Sequence, residues 1–168
     1  MTSPQKAKGN AWERQVAEHL TNLYGERFIR VPHSGAYIGG TNSARKEFLH
    51  EGQIRSFKGD IIPGQSFPRF NTECKSYKDF PFHQLYSGEV KILDAWLGQL
   101  LEVADSGDYS ILIMKFNRKG KFVAVQDPVI GADQGYSVYN STKHGRWWIL
   151  EYDLFWLHNK EAVKGRCA

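Results

Sequence analysis

The segment Gly59-Asp60-Ile61-Ile62-Pro63-Gly64-Gln65-Ser66-Phe67-Pro68-Arg69-Phe70-Asn71-Thr72-Glu73-Cys74-Lys75 decides how the chain is read. Residues 59–62 and 69–75 predict two strands, neighbours in one sheet, separated by a turn region holding Pro63, Gly64 and Pro68. Side chains alternate along a strand, so Glu73 and Lys75 share one face while Cys74 points to the other. Two carboxylates and an ammonium in that layout suit a hard divalent cation and an activated water. Asp60 and Glu73 would ligate Mg²⁺ through oxygen, and Lys75 would orient or deprotonate the water and stabilise the negative transition state. The Cys74 side chain reads as core, with its backbone carbonyl, between Glu73 and Lys75, still in reach of the ion. The plain alternative stays open: Glu-x-Lys is frequent by chance and on a strand usually means two solvated charges paired on one face.

Upstream, residues 8–24 predict an amphipathic helix, with Trp12, Val16, Ala17, Leu20, Leu23 and Tyr24 on one side and Gly25 ending it. Glu13 falls inside that apolar arc, and an inward carboxylate is costly without a partner. A metal ion, a metal-bound water or the lysine would satisfy it; so would a buried arginine, or a place at the rim of the stripe. A short strand over 27–31 is closed by Pro32, and 33–57 reads as a long loop rich in Gly, Ser, Asn and charge.

Downstream, residues 89–104 predict a second helix built on Ile92, Leu93, Trp96, Leu97, Leu100, Val103 and Ala104. Residues 109–116 and 121–125 predict a hairpin, 147–152 a last strand, and Asp153 the cap of a short helix ending at His158. The order predicts an α/β domain, a central mixed β-sheet flanked by helices, as one unit over 1–168.

The bulk properties exclude several classes. Two cysteines, Cys74 and Cys167, are too few for a disulfide framework and predict reduced thiols in a cytoplasmic protein. No apolar run approaches a membrane span, and the polar, lysine-containing start of the chain predicts neither signal peptide nor anchor. A net charge of +4 favours a polyanionic partner only modestly, but the cations are grouped. Arg27, Arg30, Arg45, Lys46, Arg55 and Lys58 face only Glu47 and Glu51 in the same span, and Lys115, Arg118, Lys119 and Lys121 surround the hairpin turn. Such patches neutralise phosphates along a duplex, or are ordinary solvated faces. Lys8, Arg30, His33, Arg45, Lys46, Arg55, Lys58 and Lys78 are the candidate nucleic-acid contacts. His33-Ser34-Gly35 offers an imidazole, a hydroxyl and a close-approach glycine near a phosphate site, or a plain turn.

Taken together, Lys8-Gly9-Asn10-Ala11-Trp12-Glu13-Arg14, Arg30-Val31-Pro32-His33-Ser34-Gly35, Gly59-Asp60-Ile61 and Glu73-Cys74-Lys75 resemble, in order and spacing, the archaeal-type Holliday junction resolvases and their phage relatives, of the PD-(D/E)XK nuclease superfamily. The resemblance covers roughly the first hundred residues. It implies a restriction endonuclease-like core, a homodimer with two active sites, Mg²⁺ or Mn²⁺ dependence, and paired nicks in branched double-stranded DNA. It also implies Glu13, Asp60, Glu73 and Lys75 as catalytic residues, Ser34 assisting, and a glutamine near the second helix, for which Gln99 stands. A cytoplasmic, nucleoid-associated location follows, in a bacterial host if the chain is phage-encoded. The long insertion at 36–57 and the aromatic residues Trp147, Trp148, Phe155 and Trp156 depart from the short archaeal form. Two rivals remain: another nuclease of the superfamily acting on linear or flapped DNA, and a non-catalytic nucleic-acid-binding module.

Overall fold

A computed structural model of the chain describes residues 3–32 and 58–168. Helix α1 (Pro4–Tyr24) opens where Ser3 accepts the Lys6 amide and Pro4 fills the first turn, and ends at Gly25, whose φ of +68° lets its N–H reach the Thr21 carbonyl. It therefore starts one turn ahead of the predicted residue 8, because capping residues lie upstream of the first apolar position.

Strands β1 (Ile29–Arg30) and β2 (Ile61–Ile62) form a separate antiparallel ribbon, Ile29 opposite Ile62 and Arg30 opposite Ile61. The strand expected at 59–62 therefore pairs with β1 and not, as a neighbour in one sheet, with 69–75. Gly59 turns the chain with φ +66°, and Pro63 has no amide to extend the ladder. The link to β3 (Phe70–Tyr77) is instead made by Asp60, whose N–H donates to the Thr72 carbonyl at 2.9 Å.

The main sheet has five strands in the order β3-β4-β5-β7-β6, where β4 is Tyr109–Phe116, β5 Gly120–Val125, β6 Tyr136–Ser141 and β7 Gly145–Glu151. Strands β3 and β4 run parallel, and α2 (Lys91–Glu102) supplies the crossover between them; the other neighbours are antiparallel. Helices α1 and α3 (Tyr152–Cys167) cover one face, where Val16, Leu20, Phe155 and Trp156 pack on Ile111, Ile113, Val123 and Leu150. On the other face Leu93, Trp96, Leu97 and Leu100 of α2 pack on Leu112, Met114, Ala124 and Trp147. Burial on both sides is why Ile111-Leu112-Ile113-Met114 is continuously apolar. This is the α/β architecture with a central mixed sheet that the sequence predicts, consistent with a restriction endonuclease-like core.

Two further elements differ from expectation. Strand β6 is unannounced, because the polar groups of Tyr139 and Ser141 are buried rather than exposed: both hydroxyls donate to Asp94 of α2, at 2.8 and 2.7 Å. Helix α3 is capped by Glu151, which accepts the Leu154 amide at 2.8 Å, not by Asp153, and it runs past His158 to Cys167. Buried Asn159 carries it onward by bonding the Val129 backbone through its amide and its carbonyl oxygen, a polar core residue that breaks the apolar period. Trp147, Phe155 and Trp156 are core. Cys74 and Cys167 are free, and Cys167 is buried as well as Cys74. Among the described residues, no helix is long and apolar enough to cross a membrane.

Candidate active site

Strand β3 is an edge of the main sheet, and the segment before β2 lies against that edge. In a strand the N–H and C=O of one residue point the same way, so alternate residues of β3 address β4 and the rest address the open side. Thr72, Cys74 and Ser76 are the outward set. Thr72 accepts the Asp60 amide, the Cys74 amide donates to the Asp60 carboxylate at 2.6 Å, and Ser76 accepts the Gln5 side-chain amide. Asp60, 3% exposed, is thus held by two backbone groups, and the Cys74 carbonyl faces the same side. The Cys74 thiol is buried in the core, where lost hydration raises its pKa, and Asp60, Glu13 and Glu73 add to the rise.

On the opposite face of β3, the Lys75 ammonium donates to Glu73 at 2.8 Å and to the Gln99 carbonyl oxygen on α2. Both charged side chains are less than 15% exposed (14% and 13%), so these are not two solvated surface charges. From α1, Glu13 completes the group. Its carboxylate is gripped by the Arg30 guanidinium, which also donates to Asn10 one turn earlier on the helix, at 2.6 Å. Of the partners open to an inward Glu13, the arginine is the one in direct contact.

The carboxylates sense one another. Burial raises Glu13 to a pKa of about 7, the Asp60 charge adds to the rise, and Arg30 and Lys75 oppose it. Burial likewise raises Glu73 to about 7, again with Asp60 adding and Lys75 opposing. Three carboxylates against two cations leave surplus negative charge that an added cation would relieve.

Among the described residues no three His, Cys, Asp or Glu side chains stand close enough together to cage an ion. Glu13 is turned to Arg30 and Glu73 to Lys75. A closed cage is not what Mg²⁺ requires: it takes one or two carboxylates and completes its shell with water and substrate phosphate. Asp60, Glu73 and the Cys74 carbonyl offer hard oxygen donors, and the residues present fit such an ion on that ground.

A family model described as phage putative PDDEXK endonuclease matches residues 4–151. The chain belongs to this family. The match extends from α1 through the last strand of the sheet, well beyond the motifs named above. PDDEXK endonucleases are nucleases and generally use divalent metals, and the match reaches this chemistry without naming a DNA structure. No curated protein and no solved structure matches the chain.

The remaining candidates divide. Lys8 and Lys78 are exposed. Arg30 is engaged with Glu13 and Asn10 rather than open to DNA. Lys58 is corrected outright as a phosphate contact: it is 6% exposed and ion-paired with Asp108 and, at 3.2 Å, with Asp105, fastening the segment before Asp60 to the loop after α2. His33, Ser34, Arg45, Lys46 and Arg55 lie outside the described residues. Asn10 and Gln5 escaped the sequence reading as members of this group. Asn10 sits one turn from Glu13, a helical spacing that marks a shared partner, whereas nothing in the sequence points Gln5 at the β3 edge.

Proposed function

We propose that the chain is a metal-dependent DNA endonuclease that cuts four-way junctions, with Asp60, Glu73, Lys75 and Glu13 as its catalytic residues. The observation that carries the reading is the Asp60 carboxylate clamped to the open edge of β3 by the Cys74 amide, beside the buried Glu73–Lys75 pair on the same strand. Asp60, Glu73 and the Cys74 carbonyl would hold Mg²⁺ or Mn²⁺. When bound, the ion polarises the scissile phosphate and lowers the pKa of water.

The other steps belong to the chain itself. Lys75, steadied between Glu73 and Gln99, keeps its ammonium Nζ where it orients the attacking water and offsets charge growing on the phosphate. Gln99 is a positioning residue, fixing the Lys75 amine through its carbonyl oxygen. Arg30, itself anchored on the Asn10 side-chain oxygen, holds the Glu13 carboxylate. Ser34, with His33, Arg45, Lys46 and Arg55, would add contacts from the 33–57 segment, and Lys8 and Lys78 would meet flanking phosphates.

The preference for a four-way junction is supported by the order of the motifs shared with the resolvases. A homodimer would present paired sites to two arms, so that shape rather than base sequence selects the substrate. The family match supports equally well a nuclease acting on linear or flapped DNA. Cleavage of a synthetic four-way junction, a matched duplex and a flap with Mg²⁺ and with Mn²⁺ tests this. Paired nicks in the junction alone are expected. Equal cutting of all three would leave a general nuclease, and no cutting of any would favour a non-catalytic binding module.

A further inference from the structure

On the flank of α1 away from Glu13, a groove of ≈ 570 Å³ opens between the helix, the β4–β5 turn and the start of α3. Its aromatic wall is Trp12 and Tyr152, and cations stand over both rings: Lys115 5.2 Å from the Trp12 ring centre and Lys121 4.8 Å from that of Tyr152. Arg118 lines the groove from the turn. Lys121 is matched by Asp153 at 3.3 Å, the acid of the groove. Lys115 reaches only the neutral Gln15 carbonyl oxygen, at 3.2 Å, and among the described residues neither it nor Arg118 has a carboxylate partner. The groove therefore carries uncompensated positive charge.

One further observation favours the groove as a binding surface. Arg118 sits at φ +59°, a left-handed conformation that glycine or asparagine would adopt more cheaply. Strain held at a groove rim by a cation favours a role for the side chain over the turn itself.

We propose that this groove binds the phosphodiester backbone of DNA beside the cleavage site, with Lys115 and Arg118 on phosphate oxygens against the Trp12 and Tyr152 wall. The identity of the polyanion rests on the nuclease reading. Trp12 and Glu13 are consecutive on α1, so the groove and the acidic cluster adjoin the same helix. One strand reaches both with a few phosphates between them.

The test is binding of a fluorescent oligonucleotide to the full chain in EDTA across a salt series, with the Trp12 indole resonance followed by NMR. The double variant Lys115→Gln with Arg118→Gln should bind about tenfold more weakly and lower the salt slope by about two. Arg118→Gly relieves the backbone, so it should melt no lower than the parent yet bind DNA more weakly, which separates lost contact from lost fold. DNA should move the Trp12 indole signal, and inorganic phosphate alone should not. An unchanged salt slope in the double variant, or a groove saturated by inorganic phosphate, would overturn the proposal. Failure of the nuclease reading looks different: no DNA is cut with Mg²⁺ or Mn²⁺, while the groove variants still lose affinity.

Discussion

The Asp60 carboxylate accepts the backbone amide of Cys74 at 2.6 Å while the Asp60 amide donates to Thr72, so one residue of the segment before β2 is clamped from both ends onto the edge of β3. A carboxylate fixed by backbone groups is placed without rotamer search, and it stands beside the strand whose next residues are Glu73 and Lys75. Replacing Asp60 with Asn keeps the shape and removes the charge. Cleavage by Asp60→Asn should fall on the order of 10³-fold with DNA affinity in EDTA retained. Parallel gel cleavage and anisotropy measurements check both.

The clamp depends on Gly59. Its φ is +66°, and a Cβ there would lie 2.5 Å from the Thr72 carbonyl oxygen, a backbone atom that cannot swing away. Gly59→Ala should cost about 2 kcal/mol or more and lower the melting temperature by about 4–8 °C. Activity should drop with it, since Asp60 moves; calorimetry beside a cleavage assay reads both effects.

Lys75 and Gln99 separate a reacting group from its positioner. Lys75→Met should lower kcat by about 10²–10⁴-fold. Gln99→Leu should lower it by only about tenfold, with KM little changed, because Glu73 still holds the ammonium. Equal losses from the two variants would contradict these roles.

Burial and mutual repulsion raise Glu13 and Glu73 from 4.5 to about 7, so the folded, metal-free protein holds protons that the unfolded chain releases. Stability contributed by these groups is present below about pH 4.5 and is lost as pH rises to about 7. Glu26 and Asp79, whose pKa values are lowered by hydrogen bonds from Ser66 and Lys119, act in the opposite sense at more acid pH. The melting temperature in EDTA should therefore fall between about pH 5 and 7.5, and Mn²⁺ should recover more of it at the upper end. Glu73→Gln should flatten the profile.

Arg30 is the cation that Glu13 requires. Arg30→Met leaves a carboxylate that is 11% exposed without its forked partner and should cost about 1–3 kcal/mol. Arg30→Lys should recover only part of this, because an ammonium cannot also reach Asn10 in the same geometry. Thermal melts of the three proteins decide it.

What the sequence reveals follows the physics of each element. The α1 and α2 helices and the β4–β5 hairpin are legible because their apolar residues recur at the period of the structure. Strand β6 and the second half of α3 are hidden, since Tyr139, Ser141 and Asn159 are polar residues satisfied inside the core. At the site, Glu13, Asp60, Glu73 and Lys75 could be named from type and spacing, and Glu13 from its place in an apolar arc. Their partners could not. Arg30 and Lys58 read alike as basic residues for DNA, yet each has an internal carboxylate, and long-range pairing of that kind leaves no local trace.

The most direct test of the metal-and-DNA reading is the anomalous scattering of Mn²⁺ in crystals of the Asp60-intact protein bound to a non-cleavable DNA. A peak is expected in contact with carboxylate oxygens of both Asp60 and Glu73 and with the Cys74 carbonyl, next to a phosphate. An ion bound elsewhere, or DNA seated with no ion at the edge of β3, would contradict it.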